Sequence, residues 1–508
     1  MTAVAGTHAR ALRGLARSST LNLVGGGATA VLTLLLMLVF TRGLGAAAAG
    51  ILFSAMALFQ VAAAIAGLGV ETGVVRFITA RRTTAAIGVD DNSLWRIAFV
   101  PVLLAGVILA VLLYGTAGPV GAAIGGNTLG GEAAEALRAM AVFLPGAAVG
   151  AALLGATRGY ATMRPTVILD RIGRPAFQVA TVAVAVATEA SMGLVAALWA
   201  GAFLLEAAAA WWWLAKLRDA DPQAGWGRPR RQAASSFWRF TLPRAAATTL
   251  RTTLQWFDVV LVAALSSPGA AAVYTVATRL LQLGLLAAFS VGQAAEPLFG
   301  EAVAADDTAR TGRLYQVATA WLILITWPIY ILLTLFAPAA LGLFGPGFTT
   351  GEGVVLILVV SVLFGASVGP ADILLVMKGK PTWSLWNTAA SLAVNLALNL
   401  VLIPRMGITG AAVAWTVSRV VGNLLPVTQL WRSAGLHPFG TGWPLAIGVS
   451  LASFGVVGLV ARTAIGTELG VALGAAVVAG AAFVLLVRRL KVALAIDLAL
   501  SALRKAAS

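Results

Sequence analysis

Apolar runs long enough to cross a bilayer recur along nearly the whole chain, divided by short polar stretches. They fall at 19–41, 46–69, 94–115, 136–157, 166–187, 191–216, 237–264, 269–293, 314–337, 353–377, 383–403, 408–431, 444–462 and 468–487. About 20 apolar residues rising 1.5 Å each cover the roughly 30 Å of hydrocarbon in a bilayer. The pattern therefore predicts fourteen transmembrane helices, several long enough to tilt or project. The expected fold class is all-α, a polytopic membrane protein.

Composition agrees. Hydrophobic residues make up 60% of the 508 positions and charged residues only 11%, against about 25% charged in a soluble domain. So few charges cannot coat a soluble globule of this size. The net charge of +16 would suggest nucleic acid in a soluble chain. Here it fits basic loops held on the cytoplasmic side, and no nucleic-acid partner is expected. With the N-terminus placed in the cytoplasm, most of the 35 basic residues fall on that side, among them Arg158, Arg164, Arg171, Arg174, Lys378, Lys380, Arg488 and Arg489. Only Arg42, Arg138, Arg405 and Arg462 fall on the other. Fourteen spans return the C-terminus to the cytoplasm, giving a multi-pass protein of the cell membrane. The first run is too long for a cleavable signal peptide, whose apolar core is about 7–15 residues, and is expected to stay as span one. The chain has no cysteine and two histidines, His8 and His437. That leaves no disulfide, thiolate site or histidine triad to expect, and no metal or cofactor.

The longest loop, near 218–236, is rich in Gly, Pro and Arg and reads as a cytoplasmic linker. It separates two similar halves. Leu144-Pro145-Gly146-Ala147-Ala148-Val149-Gly150 matches Leu363-Phe364-Gly365-Ala366-Ser367-Val368-Gly369. Arg158-Gly159 and Arg164-Pro165-Thr166 match Lys378-Gly379 and Lys380-Pro381-Thr382, and Met192-Gly193-Leu194 matches Met406-Gly407-Ile408. The order and near-constant offset predict an N-terminal lobe at 1–217, the linker, a C-terminal lobe at 237–432, and a terminal helix pair with a tail at 433–508. Six spans per lobe start both on the same side, so the repeat is parallel, as in some transporters. Two such bundles would create a cleft where they face each other.

Phe240-Thr241-Leu242-Pro243, Trp256-Phe257-Asp258, Ala272-Val273-Tyr274-Thr275-Val276-Ala277, Pro297, the run Asn395 to Pro404 and Gly407-Ile408-Thr409-Gly410 form a further pattern. It resembles the Wzx-like polysaccharide flippases of the multidrug/oligosaccharidyl-lipid/polysaccharide (MOP) exporter superfamily. The resemblance implies a non-enzymatic flippase that moves a polyprenyl-diphosphate-linked oligosaccharide, a cell-surface polysaccharide precursor, from the cytoplasmic to the outer leaflet by alternating access. It also implies membrane lipids, polysaccharide polymerases and glycosyltransferases as partners.

Span seven holds the candidate chemistry. Arg244, Thr248, Arg251, Gln255 and Asp258 recur every three or four residues and form one polar stripe on a helix. Such a stripe faces protein or a watery cavity, not lipid. It is either a wall of the translocation path, with guanidinium groups taking a diphosphate in bidentate fashion, or a set of snorkelling side chains and structural ion pairs. Span eight adds Thr275, Arg279, Gln282, Gln293 and Glu296, and Arg279 is placed to pair with Asp258 across the hairpin. Arg244, Arg251, Gln255, Arg279 and Arg419 are the candidate substrate-binding residues. Asp258, Glu206 and Asp372 are candidates for ion coupling or structural pairs. Asn22, Thr29 and Thr33, and Asn387, Ser391, Asn395 and Asn399, suit helix packing. Trp211-Trp212-Trp213 suits an interfacial aromatic belt.

Two rival classes make different demands on the charged residues. A MATE-type drug/cation antiporter would favour acidic residues in its cavity, whereas the intramembrane set leans basic. A polytopic glycosyltransferase needs carboxylates on the outer face, where only Glu132, Glu135, Glu189, Glu352 and Glu468 stand. The acidic pairs Asp90-Asp91 and Asp306-Asp307 fall in cytoplasmic loops.

Overall fold

A computed structural model of the chain describes residues 2–83, 95–221 and 231–490. Asp90-Asp91, the centre of the linker at 222–230 and the basic tail from Lys491 lie outside the described residues. The described residues are predominantly helical, with no strand among them. The chain divides into two compact units, Met1–Ala272 and Val273–Ser508.

The first unit opens with α1 (Thr2–Ala66), which is broken at Gly45, where the backbone turns to φ 80° and ψ 172°. The element therefore contains two of the expected spans. A second break, with Leu68 at φ 47° and Gly69 at φ 66°, leads into α2 (Val70–Thr83). Next come α3 (Trp95–Gly115), α4 (Ala117–Ala141), α5 (Leu144–Gly159) and a π-helical turn Thr166–Gly173 that runs into α6 (Arg174–Ala187). Finally α7 (Met192–Asp219) and α8 (Arg231–Leu265) complete the unit. α2, α3, α5, α7 and α8 share one core around Val74, Phe77, Phe99, Leu153, Leu214 and Phe237.

The second unit begins inside α9 (Pro268–Ala304). It continues through α10 (Thr308–Leu335), the short α11 (Ala337–Gly342), α12 (Glu352–Val368), α13 (Ala371–Met377), α14 (Pro381–Met406) and α15 (Ile408–Ala434). α16 (Gly442–Ala464) and α17 (Leu469–Arg489) close it. Phe299, Tyr315, Leu374 and Leu430 centre its main core. Along α17 the outward side chains are apolar, Val477 and Leu485 being 75% and 62% exposed, as a lipid-facing helix requires.

Among the described residues nine helices are long and apolar enough to cross a membrane, or ten if the bent pair α4 and α5 counts as one span. Fourteen is not reached on this measure. It treats the kinked stretch from Val24 to Ala80 as one helix, and the polar stripe makes α8 too hydrophilic to qualify. Hydropathy also missed the breaks. Span four bends by 44° between α4 and α5, where Pro145 enters the first turn of α5. Span ten stops at Gly369, φ 71°, before Pro370. The matched stretches 144–150 and 363–369 thus differ locally, one opening a helix and the other closing one.

Candidate functional site

The inner surface of the first unit is built on small residues. A Cβ at Gly155 would come 2.6 Å from the Glu71 carbonyl oxygen, so α5 and α2 approach backbone to backbone. That approach sets the Glu71 carboxylate against the Arg158 guanidinium in an ion pair. α8 lies equally close on the other side of α2. A Cβ at Gly69 would meet Ala245 N at 2.6 Å, and one at Gly73 would meet the Thr241 hydroxyl at 2.4 Å. Glu71 is then one wall of a cavity of about 290 Å³. Gln60, Thr248, Thr252 and Trp256 line it as well, and alanines of α1 and α5 leave the room for it.

Phe203 closes that cavity and carries the next group of charges. The Arg174 guanidinium sits 4.4 Å from the Phe203 ring centre. Its Nε pairs with Glu206 Oε2 at 2.5 Å and its Nη2 with Asp170 Oδ1 at 2.6 Å. Glu206 is buried, at 8% exposure. The three carboxylates of Glu71, Asp170 and Glu206 therefore meet the two guanidinium groups of Arg158 and Arg174. Among the described residues no cluster of three His, Cys, Asp or Glu side chains suits a metal ion.

On α8, Thr248 is the member of the polar stripe that lines the cavity. Arg251 and Gln255 are exposed on adjoining turns, and Arg251 makes no hydrogen bond or ion pair among the described residues. Arg244 is exposed and its guanidinium lies 4.8 Å from the Phe240 ring. Asp258, farther along α8, is buried at 3% exposure. In the second unit Arg279 is buried at 6%, and Arg419 is half-buried with its guanidinium 5.3 Å from the Trp415 ring. Asp372 is exposed in the first turn of α13, where a carboxylate suits the helix dipole; it pairs with neither Lys378 nor Lys380 among the described residues. The side chains of Asn22 and Gln293 lie outside the described residues. Of the packing amides, Asn387 and Gln429 exchange two hydrogen bonds at 2.8 and 2.9 Å, and the Ser391 hydroxyl donates to the Ser418 carbonyl at 2.7 Å. In the aromatic belt, Lys216 Nζ lies 3.7 Å from the Trp212 ring. On the face expected to be outer, Glu135 accepts a hydrogen bond from Gly193 N at 3.1 Å, and Glu352 pairs with Arg462 at 3.1 Å.

The sequence matches the polysaccharide biosynthesis protein family over residues 15–303, more than half of the chain. The chain belongs to that family. It also matches the MatE family over residues 243–401. No curated protein sequence matches it. Among solved structures, the lipid II flippase MurJ in an inward closed conformation superposes with a TM-score of 0.73 at 12% identity, covering 92% of this chain and 98% of MurJ. An inward-facing multidrug resistance MATE transporter of the MOP superfamily gives 0.62 at 17% identity, covering 80% of this chain and 94% of that one. A MOP superfamily transporter from Pyrococcus furiosus gives 0.57 at 18%, covering 84% and 96%. At such identities the likeness is one of fold: this polysaccharide biosynthesis protein is a multi-pass membrane protein with the MOP transporter fold.

Two features of the family member were missed in sequence. Arg158 and Arg174 are read from sequence only as cytoplasmic-side charge, without the carboxylates that bind them: Glu71 for Arg158, Asp170 and Glu206 for Arg174. Glu206 was picked out without its partner. The usable signal was the i, i+4 spacing of Asp170 and Arg174, which puts them on one helix face.

Proposed function

We propose that the protein is a flippase for a polyprenyl-diphosphate-linked oligosaccharide, a precursor of cell-surface polysaccharide. It carries the glycolipid from the cytoplasmic to the outer leaflet by alternating access, the path opening to one side at a time. The family match over residues 15–303 carries this reading. The fold shared with MurJ, a lipid II flippase, supports it. So does the guanidinium excess on the stripe of α8, since a bidentate fork suits a diphosphate better than a cationic drug.

In this reading Arg244, Arg251, Gln255, Arg279 and Arg419 are the residues that bind the substrate. Asp258, Glu206 and Asp372 serve coupling or hold the arginines. The protein sits in the cell membrane with both termini cytoplasmic, in fourteen spans grouped as 1–217 and 237–432 with the pair from 433. Polysaccharide polymerases and glycosyltransferases act before and after it, and it performs no covalent chemistry itself. Engagement of Glu135 and Glu352 in helix-end and ion-pair contacts weighs against a glycosyltransferase.

The MatE match over residues 243–401 favours a second reading, a drug/cation antiporter. Depleting the protein from its cell separates the two. The flippase reading expects lipid-linked glycan to accumulate in the cytoplasmic leaflet, shielded from added glycosidase, with unchanged sensitivity to cationic dyes. Dye sensitivity with an undisturbed glycolipid pool would establish the antiporter instead.

A further inference from the structure

α2 and α8 run antiparallel, and their contact falls into three zones. In the middle, Gly69 and Gly73 admit Ala245 and Thr241 at backbone distance, which seals the helices together. Farther along α8, and reaching residues 69–72 at the start of α2, lies the cavity lined by Glu71, Thr248 and Thr252. In the opposite direction, toward the arginine-rich ends of the two helices, Phe77 packs against Phe237 with ring centres 5.2 Å apart. There a second cavity of about 510 Å³ opens, lined by Arg76, Phe77, Ala80, Ser236, Arg239 and Phe240.

Among the described residues the lining of this second cavity has no carboxylate and two cations, Arg76 and Arg239; a third, Arg244, borders it through the ring of Phe240. Phe240 holds two of these three guanidinium groups, with Arg76 4.1 Å and Arg244 4.8 Å from its ring centre. Arg239 lies on the adjoining wall. Among the described residues none of the three makes a hydrogen bond or ion pair. Contact with a ring fixes a guanidinium plane and leaves its N–H edge unspent. Like charges gathered in this way repel one another unless an anion joins them. Snorkelling alone would spread the side chains apart and does not account for two guanidinium groups sharing one ring.

We propose that this pocket is a docking site for the diphosphate of the polyprenyl carrier, occupied before the head reaches the inner cavity. The proposal rests on the flippase reading and adds a separate station to it. From Arg239 to Thr252 is 13 residues of α8, roughly 20 Å at 1.5 Å per residue, so one diphosphate cannot occupy both places. Phe77 and Phe240 give the first isoprene units an apolar surface beside the guanidinium edges, which a bare anion site does not need.

The test uses the purified full-length protein in detergent and farnesyl diphosphate as the probe, with phosphatidylglycerol as competitor. Wild-type protein should bind the probe and an equal amount of phosphatidylglycerol should not displace it. The double variant Arg76→Gln/Arg239→Gln, which leaves Arg251 in place, should bind about tenfold more weakly or worse. Wild-type affinity in that variant, or equal displacement by phosphatidylglycerol, overturns the site. In the second case the pocket holds ordinary anionic lipid. If the glutamine pair fails to fold, Arg76→Lys/Arg239→Lys decides: about threefold weaker binding supports the forked contact, and unchanged binding overturns it. A transport assay keeps the two claims apart. A raised KM with unchanged kcat in the double variant supports a docking station. An unchanged KM removes the station and leaves the flippase. Wild-type protein that binds the probe but moves no glycolipid removes the flippase reading and leaves the pocket.

Discussion

An arginine in a bilayer span costs about 2.5–3.5 kcal/mol at the centre, and the chain meets that cost differently at Arg174 and Arg251. Arg174 is shared by two carboxylates and stacked on Phe203. Arg251 is exposed and makes no such contact among the described residues. Glu206→Ala should therefore strip Arg174 of a buried partner and cost about 3–5 kcal/mol, read as a lower unfolding midpoint and lower yield. Arg251→Ala should leave both unchanged while cutting transport severely, about tenfold or more, and Arg251→Lys should cut it partially because charge remains without the planar fork. An Arg251→Ala protein that is well expressed and transports at the wild-type rate removes Arg251 from the substrate path. The Arg251 stripe was legible because its members recur every three or four residues on a single helix. The Arg174–Glu206 pair was not, because its members sit on different helices and only folding brings them together.

Helix-to-helix approach in the first unit rests on glycine at a few positions. Gly155→Leu should force α5 away from α2, since even a Cβ would come 2.6 Å from the Glu71 carbonyl. It should break the Glu71–Arg158 pair and sharply lower the unfolding midpoint. Gly131→Ala is the control: nothing lies within 4 Å of the added Cβ, and the helix should gain about 0.5–1 kcal/mol. Equal midpoints for the two variants would refute the close-packing account. Hydropathy located most of these helices because a span announces itself through some twenty apolar residues. It could not locate the breaks at Leu68-Gly69 or at Gly369, because a break lies in one or two backbone angles and leaves the apolar run intact. Pro145 and Pro370 were the local hints.

At the scale of the molecule, the basic residues set the orientation we propose. The chain lacks cysteine, so an introduced thiol is the sole target. Met163→Cys and Ala190→Cys, at opposite ends of α6 and its π-helical turn, should label from opposite sides of the membrane, Met163 from the cytoplasm; labelling of both from one side would contradict the topology. The all-α, membrane-embedded character could be read from composition and periodicity alone, since no soluble arrangement hides 60% hydrophobic residues behind so few charges. The cavities could not, because each draws its lining from helices far apart in sequence. The flippase itself is tested most directly in proteoliposomes. Purified protein is reconstituted with a fluorescent polyprenyl-diphosphate oligosaccharide confined to one leaflet, and its arrival in the other is followed by accessibility to an impermeant glycosidase. The account predicts protein-dependent transfer that is lost with Arg251→Ala. Transfer no faster than in protein-free vesicles, from protein shown to be folded, would contradict it.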